Sequence, residues 1–240
     1  MQTLIDSFTF FGHHPSLMWS KTLAHLAISF ASLGVALAIA IPLGVWLGHL
    51  HRASFLAINV SNVFRALPSL AMISIGIAFL GIGFWNVLVA LVVLAAPVML
   101  TNAYVAVDQV DRNAVEAARA TGMTGWQVLT RVELPLATPL IFAGIRTGCV
   151  YVIATATLAT FAGGGGLGDI IVNEPTYGVP GVIAGSLAII VLAFVADGLL
   201  ALVQRWATPR PLRKSGRLGR ADAVVTAAGP ATEDLVVQQS

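Results

Sequence analysis

Few side chains in this 240-residue chain have types and spacings suited to acid–base or nucleophilic chemistry. The single cysteine, Cys149, permits no internal disulfide. Adjacent His13 and His14 lack the further ligands of a metal site, and no Ser–His–Asp or Cys–His grouping stands out. We therefore expect no catalytic residue, no metal site and no bound cofactor, and a protein that is not an enzyme.

A glycine-rich run, Gly163–Gly168 followed by Asp169, could in principle cradle phosphates. A phosphate loop needs a following Lys-Ser/Thr and a strand–turn–helix unit, and both are missing here. The run instead predicts a flexible external loop that turns sharply and lets backbones approach closely.

The segment from Val115 to Pro135 is a polar island in an apolar chain. Its first part predicts a short helix from Asp111 to Arg119, capped by Asp111 or Asn113. Gly122 predicts a left-handed turn. A second short helix is expected from Gly125 to Leu129. Two short helices around a glycine would form a compact knob, which suits docking into a partner's cleft better than catalysis.

Three charged residues, Arg65, Arg146 and Asp197, fall inside apolar stretches, where charge is costly unless it faces protein or water. Arg146 and Asp197 lie at similar predicted depths, about 10–14 Å from the same membrane face at 1.5 Å per residue. An intramembrane ion pair is therefore expected. The alternative is that each side chain snorkels alone towards the headgroups.

The elements that position these residues are membrane spans. The chain is 57% hydrophobic and 10% charged, whereas soluble domains carry about 25% charged residues. Residues 22–51, 66–107, 147–168 and 175–196 contain no Asp, Glu, Lys or Arg. With a turn at Gly81–Gly83, these runs predict an all-α integral membrane protein of about five helices. The predicted spans are residues 22–48, 54–80, 85–106, 137–162 and 180–204.

The distribution of positive charge predicts the orientation. With the N-terminus outside, ten of the 13 Lys and Arg residues lie in cytoplasmic segments and only Lys21 lies outside. Residues 1–20 are then an external segment anchored by aromatic rings. Residues 206–240 form a cytoplasmic tail, expected to be disordered, whose basic first part favours anionic lipid headgroups. A nucleic-acid partner is not expected.

Pro68 interrupts the second predicted span, because it cannot donate to the carbonyl of Phe64. Broken helices at membrane depth are tolerated where they line a cavity or are covered by protein. Arg65, Pro68 and Ser69 are therefore candidates for a translocation path, with a plain structural kink as the equal alternative. We assign Gly163 and Gly166 to the same path or its gate.

The polar segment resembles the EAA loop of the membrane subunits of type I ABC importers. The resemblance rests on Glu116-Ala117-Ala118, Gly122 and Leu134-Pro135, and on their place between the third and fourth spans. It implies a transmembrane domain over residues 21–205 with a coupling loop at about 108–136. Those six residues would dock on an ATP-binding subunit, which would carry the ATP and Mg²⁺. The resemblance further implies a bacterial inner-membrane location, a second permease subunit and a periplasmic or lipid-anchored solute-binding protein.

Within that family the chain looks most like the permeases for glycine betaine, carnitine and choline. The residues that carry this are Ile41–Gly44, Leu67–Ala71 and above all Val132–Ala159. Arg65 departs from the branch, which usually has an uncharged polar residue there. A methionine-type importer remains an alternative because its glycine-rich run is similar. An ion-gradient-driven transporter is a further alternative, but five spans without an internal repeat fit it poorly.

Overall fold

The computed structural model describes residues 2–51 and 54–208, and all secondary-structure elements in this part of the chain are helical. The helices are α1 (Gln2–His13), α2 (Pro15–His49), α3 (Ser54–Ala66), α4 (Ser69–Leu80), α5 (Phe84–Asp108), α6 (Arg112–Ala120), α7 (Gly125–Val128), α8 (Leu134–Thr155), α9 (Gly168–Val172) and α10 (Glu174–Ala207). A π-helical turn, Leu129–Glu133, joins α7 to α8, and a 3₁₀ segment, Ala156–Ala162, follows α8.

Four helical stretches among the described residues are long and apolar enough to cross a membrane. They are Pro15–His49, Phe84–Asp108, Gly125–Ala162 and Glu174–Ala207. Each contains one of the five predicted spans. The remaining span, predicted over residues 54–80 with a kink or break at Pro68, is two shorter helices, α3 and α4.

Pro68 causes this division. α3 ends at Ala66, and Pro68 has φ −64° and ψ 125°, an extended conformation at the N-cap of α4. Proline lacks the N–H that would continue the helix, and its ring disfavours helical geometry in the preceding residue. The predicted break at Pro68 is therefore confirmed.

Small residues on α2 let it lie close to α5. A Cβ added at Gly44 would fall 2.6 Å from the carbonyl oxygen of Leu100, and one at Gly48 would fall 2.7 Å from that of Tyr104. Ala36 and Ala40 on the same helix are fully buried. Close backbone approach through small residues is the usual way helices associate in lipid.

The interior has two apolar clusters. The larger one runs through the bundle and includes Ile28, Met99, Ile153 and Leu167. The smaller one lies at the end of the bundle that carries α6 and α7, hereafter the loop end. Its buried members are Val45, Ala103, Ala106, Val107, Val110, Val115, Ala118, Val128, Leu129, Ala137 and Ile141. The connection between α5 and α8 is thus part of the folded core.

α1 was not predicted as a helix. It lies against α10, where the ring of Phe10 meets Tyr177 edge-on at 6.3 Å between centroids. The contact is close because Gly181 has no side chain, and a Cβ there would fall 3.2 Å from the Phe10 ring. This contact is tertiary, so the local sequence pattern carries no signal of it.

Candidate functional site

The segment from Asp108 to Leu136 is hereafter the 108–136 loop, and its first helix is α6. Asp111, one of the two predicted caps, caps this helix by accepting a hydrogen bond from the backbone N–H of Asn113, the other candidate, at 3.0 Å. Ala118 is turned into the small apolar cluster, while Glu116 and Ala117 are exposed. α6 therefore has one face fixed to the bundle and one face free for a partner.

Gly122 ends α6 in a left-handed turn, with φ +85°, which confirms the predicted conformation. The N–H of Gly122 donates to the carbonyl of Arg119, and that of Met123 donates to Ala118. These bonds satisfy carbonyls that the helix end leaves without partners. A Cβ at Gly122 would meet nothing within 4 Å, so backbone conformation alone demands glycine.

α7 starts with a capping box. The hydroxyl of Thr124 accepts from the N–H of Gln127 at 3.4 Å, and the Gln127 side chain accepts from the N–H of Thr124 at 2.9 Å. This arrangement gives hydrogen-bond acceptors to two backbone N–H groups at the start of the helix, which would otherwise have no partner. It holds Trp126 with 72% of its surface exposed beside α6. Trp126 was missed by the sequence analysis, although a tryptophan within a polar segment is itself a signal of a contact surface.

The helix that starts at α7 continues into α8, contrary to the prediction of a separate span beginning near residue 137. The π-helical turn Leu129–Glu133 makes the connection. Pro135 stands in the first turn of α8, where its missing N–H costs little. Leu134 packs against the small apolar cluster, and both residues are half-buried.

The six residues that the sequence predicts to dock on an ATP-binding subunit therefore divide between two positions. Glu116, Ala117 and Gly122 lie on the surface of the loop, whereas Ala118, Leu134 and Pro135 are turned wholly or partly into it. The second group supports the first, because it anchors the loop to the ends of α5 and α8.

The glycine-rich run lies at the opposite end of the bundle. Gly163, Gly165 and Gly166 have φ between +69° and +98°, which confirms the predicted sharp turn. Close approach is also confirmed: a Cβ at Gly168 would fall 2.0 Å from the carbonyl oxygen of Thr157. The run is more firmly packed than the expected flexible loop, since Gly166 is buried against His25.

Asp169, next to that run, ties three elements together. One of its carboxylate oxygens accepts from Lys21 Nζ at 2.6 Å, and the other accepts from the hydroxyl of Thr160. The contacts join the start of α2, the 3₁₀ segment and α9.

The candidate path residues are not brought together. Pro68 and Ser69 precede α4, whereas Gly163 contacts Ile82 just beyond its other end. α4 has 12 residues, so about 18 Å of helix separates the two places. The side chain of Arg65 lies outside the described part of the chain.

Arg146 and Asp197 are in contact across α8 and α10. Arg146 Nε donates to Oδ1 at 2.8 Å and Nη2 donates to Oδ2 at 2.6 Å, a bidentate pair. Arg146 Nη1 also donates to Gln204 at 3.3 Å, and Gln204 donates to the carbonyl of Pro139 at 3.1 Å. Geometry of this kind gives the strongest hydrogen bonds between side chains.

Two further carboxylates meet histidines at the loop end. Glu133 Oε2 lies 2.6 Å from His49 Nδ1, and Asp108 Oδ1 lies 2.9 Å from His51 Nδ1. The sequence analysis missed both pairs. Their members are 84 and 57 residues apart, and no local pattern connects them.

Comparison with known proteins identifies the family. The family model described as "Binding-protein-dependent transport system inner membrane component" matches residues 40–209. The glycine betaine/carnitine/choline transport system permease protein OpuCB of Bacillus subtilis (strain 168) is 39% identical, with 80% of this chain and 89% of the relative covered. The carnitine transport permease protein OpuCB of Listeria monocytogenes is 36% identical, with 86% of this chain and 95% of the relative covered. The osmoprotectant import permease protein OsmW of Salmonella typhimurium is 33% identical over 81% and 93%.

Solved structures agree on the fold. An inward-facing structure of the MetNI methionine ABC transporter matches with a TM-score of 0.71 and 23% identity, covering 82% of this chain and 99% of that one. An amino-acid ABC transporter structure matches with a TM-score of 0.63 and 18% identity, over 80% and 95%. The chain belongs to the family of binding-protein-dependent transport system inner membrane components: it is a multi-pass permease of an ABC transporter, which implies an ATP-binding partner subunit, and not an enzyme.

Proposed function

We propose that this chain is the permease subunit of an ATP-driven importer of quaternary ammonium osmoprotectants, with glycine betaine as the first candidate solute. The observation that carries the proposal is the 39% identity, over 80% of the chain, to a permease named for glycine betaine, carnitine and choline. Relatives named for carnitine and for choline, at 36% and 38% identity, support the same solute class.

The 108–136 loop is the proposed contact with the ATP-binding subunit, which holds ATP and Mg²⁺. Glu116, Ala117, Gly122 and Trp126 form the docking surface, since all four are exposed. Behind them, Val115 and Ala118 fix α6 to the bundle. A displacement of α6 would therefore reach the membrane helices instead of being absorbed by a soft loop. Closure of the ATP-binding subunits would in this way switch the solute cavity between its inward-facing and outward-facing forms.

The proposed orientation places the loop end in the cytoplasm and the glycine-rich run outside, near the solute-binding protein. A second permease subunit, of the same or a related sequence, completes the path, and lipid covers the remaining apolar surface. The break at Pro68 lines the path, with Gly163 and Gly166 at its outer gate.

The test is uptake in cells that lack their own osmoprotectant importers. The chain is expressed with its ATP-binding subunit and solute-binding protein, and radiolabelled glycine betaine, carnitine, choline and methionine are supplied separately. We expect uptake of the quaternary ammonium solutes, lost when the nucleotide-binding lysine of the partner ATPase is replaced. Uptake of methionine alone would contradict the solute class. Uptake that survives the ATPase substitution and follows the proton gradient would contradict the ATP-driven mechanism.

A further inference from the structure

Both ends of the 108–136 loop are held by the same short segment at the end of α2. His51 contacts Asp108, the last residue of α5, and His49 contacts Glu133, the last residue of the π-helical turn before α8. Only Leu50 separates the two histidines. The segment His49–His51, hereafter the histidine bracket, thus spans the two points at which the loop leaves and re-enters the bundle.

The pair of His49 and Glu133, hereafter the inner pair, lies where burial of a carboxylate is costly. Glu133 is 0% exposed, in a helical stretch whose Val128, Leu129 and Ala137 belong to the small apolar cluster. Its Oε2 atom contacts His49, while Oε1 has no hydrogen-bond partner among the described residues. Burial of a carboxylate in apolar surroundings is tolerated only with a compensating partner, so His49 is the group that permits Glu133 at this position.

The backbone departs from regular geometry close to each member of the inner pair. His51 has φ +48°, the only positive value among the described non-glycine residues. Residues of this kind persist where the surroundings hold them in place, and they are concentrated at functional sites. Glu133 ends a π-helical turn, another local distortion that is frequent at functional sites.

α2 gains a direct connection to the loop through these contacts. Without them, α6 would act on the membrane helices through its apolar packing in the small cluster and through its covalent connections to α5 and α8. α2 also packs tightly on α5 at Gly44 and Gly48. A displacement that reaches His49 is therefore passed to α2 and α5 together.

We infer that His49 and His51 are positioning residues for ATP coupling: they fasten both ends of the 108–136 loop to α2, so that movement of α6 carries α2, α5 and α8 as one body. This inference rests on the proposed function, because it assumes that the ATP-binding subunit acts on α6.

A purely structural role would lower the amount of assembled transporter, whereas a coupling role alters how many ATP molecules are hydrolysed for each solute moved. The experiment therefore measures that ratio in proteoliposomes containing the full transporter with its solute-binding protein, using radiolabelled glycine betaine as the probe. The variants are His49→Ala, His51→Ala, Glu133→Gln and the conservative His49→Gln. His13→Ala is the matched control, because His13 is an exposed histidine on α1, far from the bracket in the fold.

We expect His49→Ala to raise the ATP-to-solute ratio about tenfold, a size within the usual range of coupling between sites. His51→Ala should raise it less, since the His51–Asp108 pair is already about one-third exposed. His49→Gln should restore part of the coupling by donating an N–H to Glu133, and His13→Ala should match the wild type. If combining His49→Ala with Glu133→Gln raises the ratio no further than His49→Ala does, the two residues act through each other.

Assembled variants with an unchanged ratio would overturn the inference. If His49→Ala fails to assemble, the more exposed His51→Ala provides the same test, and an unchanged ratio there overturns it as well. A wild-type transporter that shows no ATP-dependent uptake of glycine betaine would instead contradict the proposed function, so the two failures are distinguishable.

Discussion

The contact between Arg146 and Asp197 allows a quantitative prediction. Arg146 lies 12 residues beyond Leu134 and Asp197 lies ten residues before Ala207, so both are about 15–18 Å from the loop end of their helices. At that depth each charge is costly without its partner. Removal of either side chain should therefore destabilise the protein by more than the packing that it contributes.

The magnitude follows from the exposure of the pair. Breaking a fully buried pair costs about 3–5 kcal/mol, and exposed pairs are worth about 0.2–1 kcal/mol. The side chains of Arg146 and Asp197 are 32% and 31% exposed, between these limits. We expect each of Arg146→Ala and Asp197→Ala to lower the free energy of unfolding by about 2 kcal/mol, with a coupling free energy of about 1–2 kcal/mol between them.

The assay is a double-mutant cycle on thermal unfolding of the purified protein in detergent. The matched control pairs Asp197→Ala with Thr147→Ala, because Thr147 is next to Arg146 but its hydroxyl donates within its own helix, to Ala143. That control pair should be additive. Additivity of Arg146→Ala and Asp197→Ala to within about 0.5 kcal/mol would refute the reasoning and leave each charge to be explained by snorkelling or by a contact with another subunit.

Three further predictions follow from single positions. Gly122→Val should abolish uptake and solute-stimulated ATP hydrolysis without loss of membrane insertion, because φ +85° excludes a β-branched residue. Gly122→Asn should retain most activity, since asparagine tolerates this conformation. Equal activity of the two variants would contradict a backbone role. Gly48→Ala should destabilise the protein by about 1–3 kcal/mol in a thermal unfolding assay because its Cβ would fall 2.7 Å from the Tyr104 oxygen, while Gly34→Ala, with open space around it, should not. The orientation is tested with single cysteines in a Cys149→Ser background, because Glu174 and Arg112 are both exposed. Glu174→Cys should react with an impermeant thiol reagent applied to intact cells, and Arg112→Cys should not. The reverse labelling pattern would show that the orientation is inverted.

The position of the topology probe illustrates how tertiary structure alters an experiment. The sequence predicts that the glycine-rich run is external, which would make it the first choice for a probe, but Gly166 is buried against His25 and has φ +98°. A cysteine there would be strained and hidden from the reagent. Glu174, at the start of α10, is exposed and avoids both problems.

Local chemistry explains which features the sequence determined by itself. Hydrophobicity over about 20 residues is sufficient to identify a spanning helix, and four of the five predicted spans appear as single long helical stretches. Caps and turns depend on neighbouring residues only, so the Asp111 cap, the left-handed Gly122 and the break at Pro68 were predictable. The motif Glu116-Ala117-Ala118 with Gly122 and Leu134-Pro135 indicated the family for the same reason, because all of its residues fall within one short segment of the sequence.

Contacts between distant parts of the chain were decided by the tertiary structure alone. The π-helical turn that fuses α7 to α8, the packing of α1 on α10 and the histidine bracket all depend on which helices become neighbours. His49 and Glu133 carry no shared local pattern, because a side-chain pair 84 residues apart is produced by helix packing and not by periodicity. Arg146 and Asp197 were paired on predicted depth, but depth does not specify which helix faces they occupy; the packing of α8 against α10 supplies that, and Gln204 completes the contact.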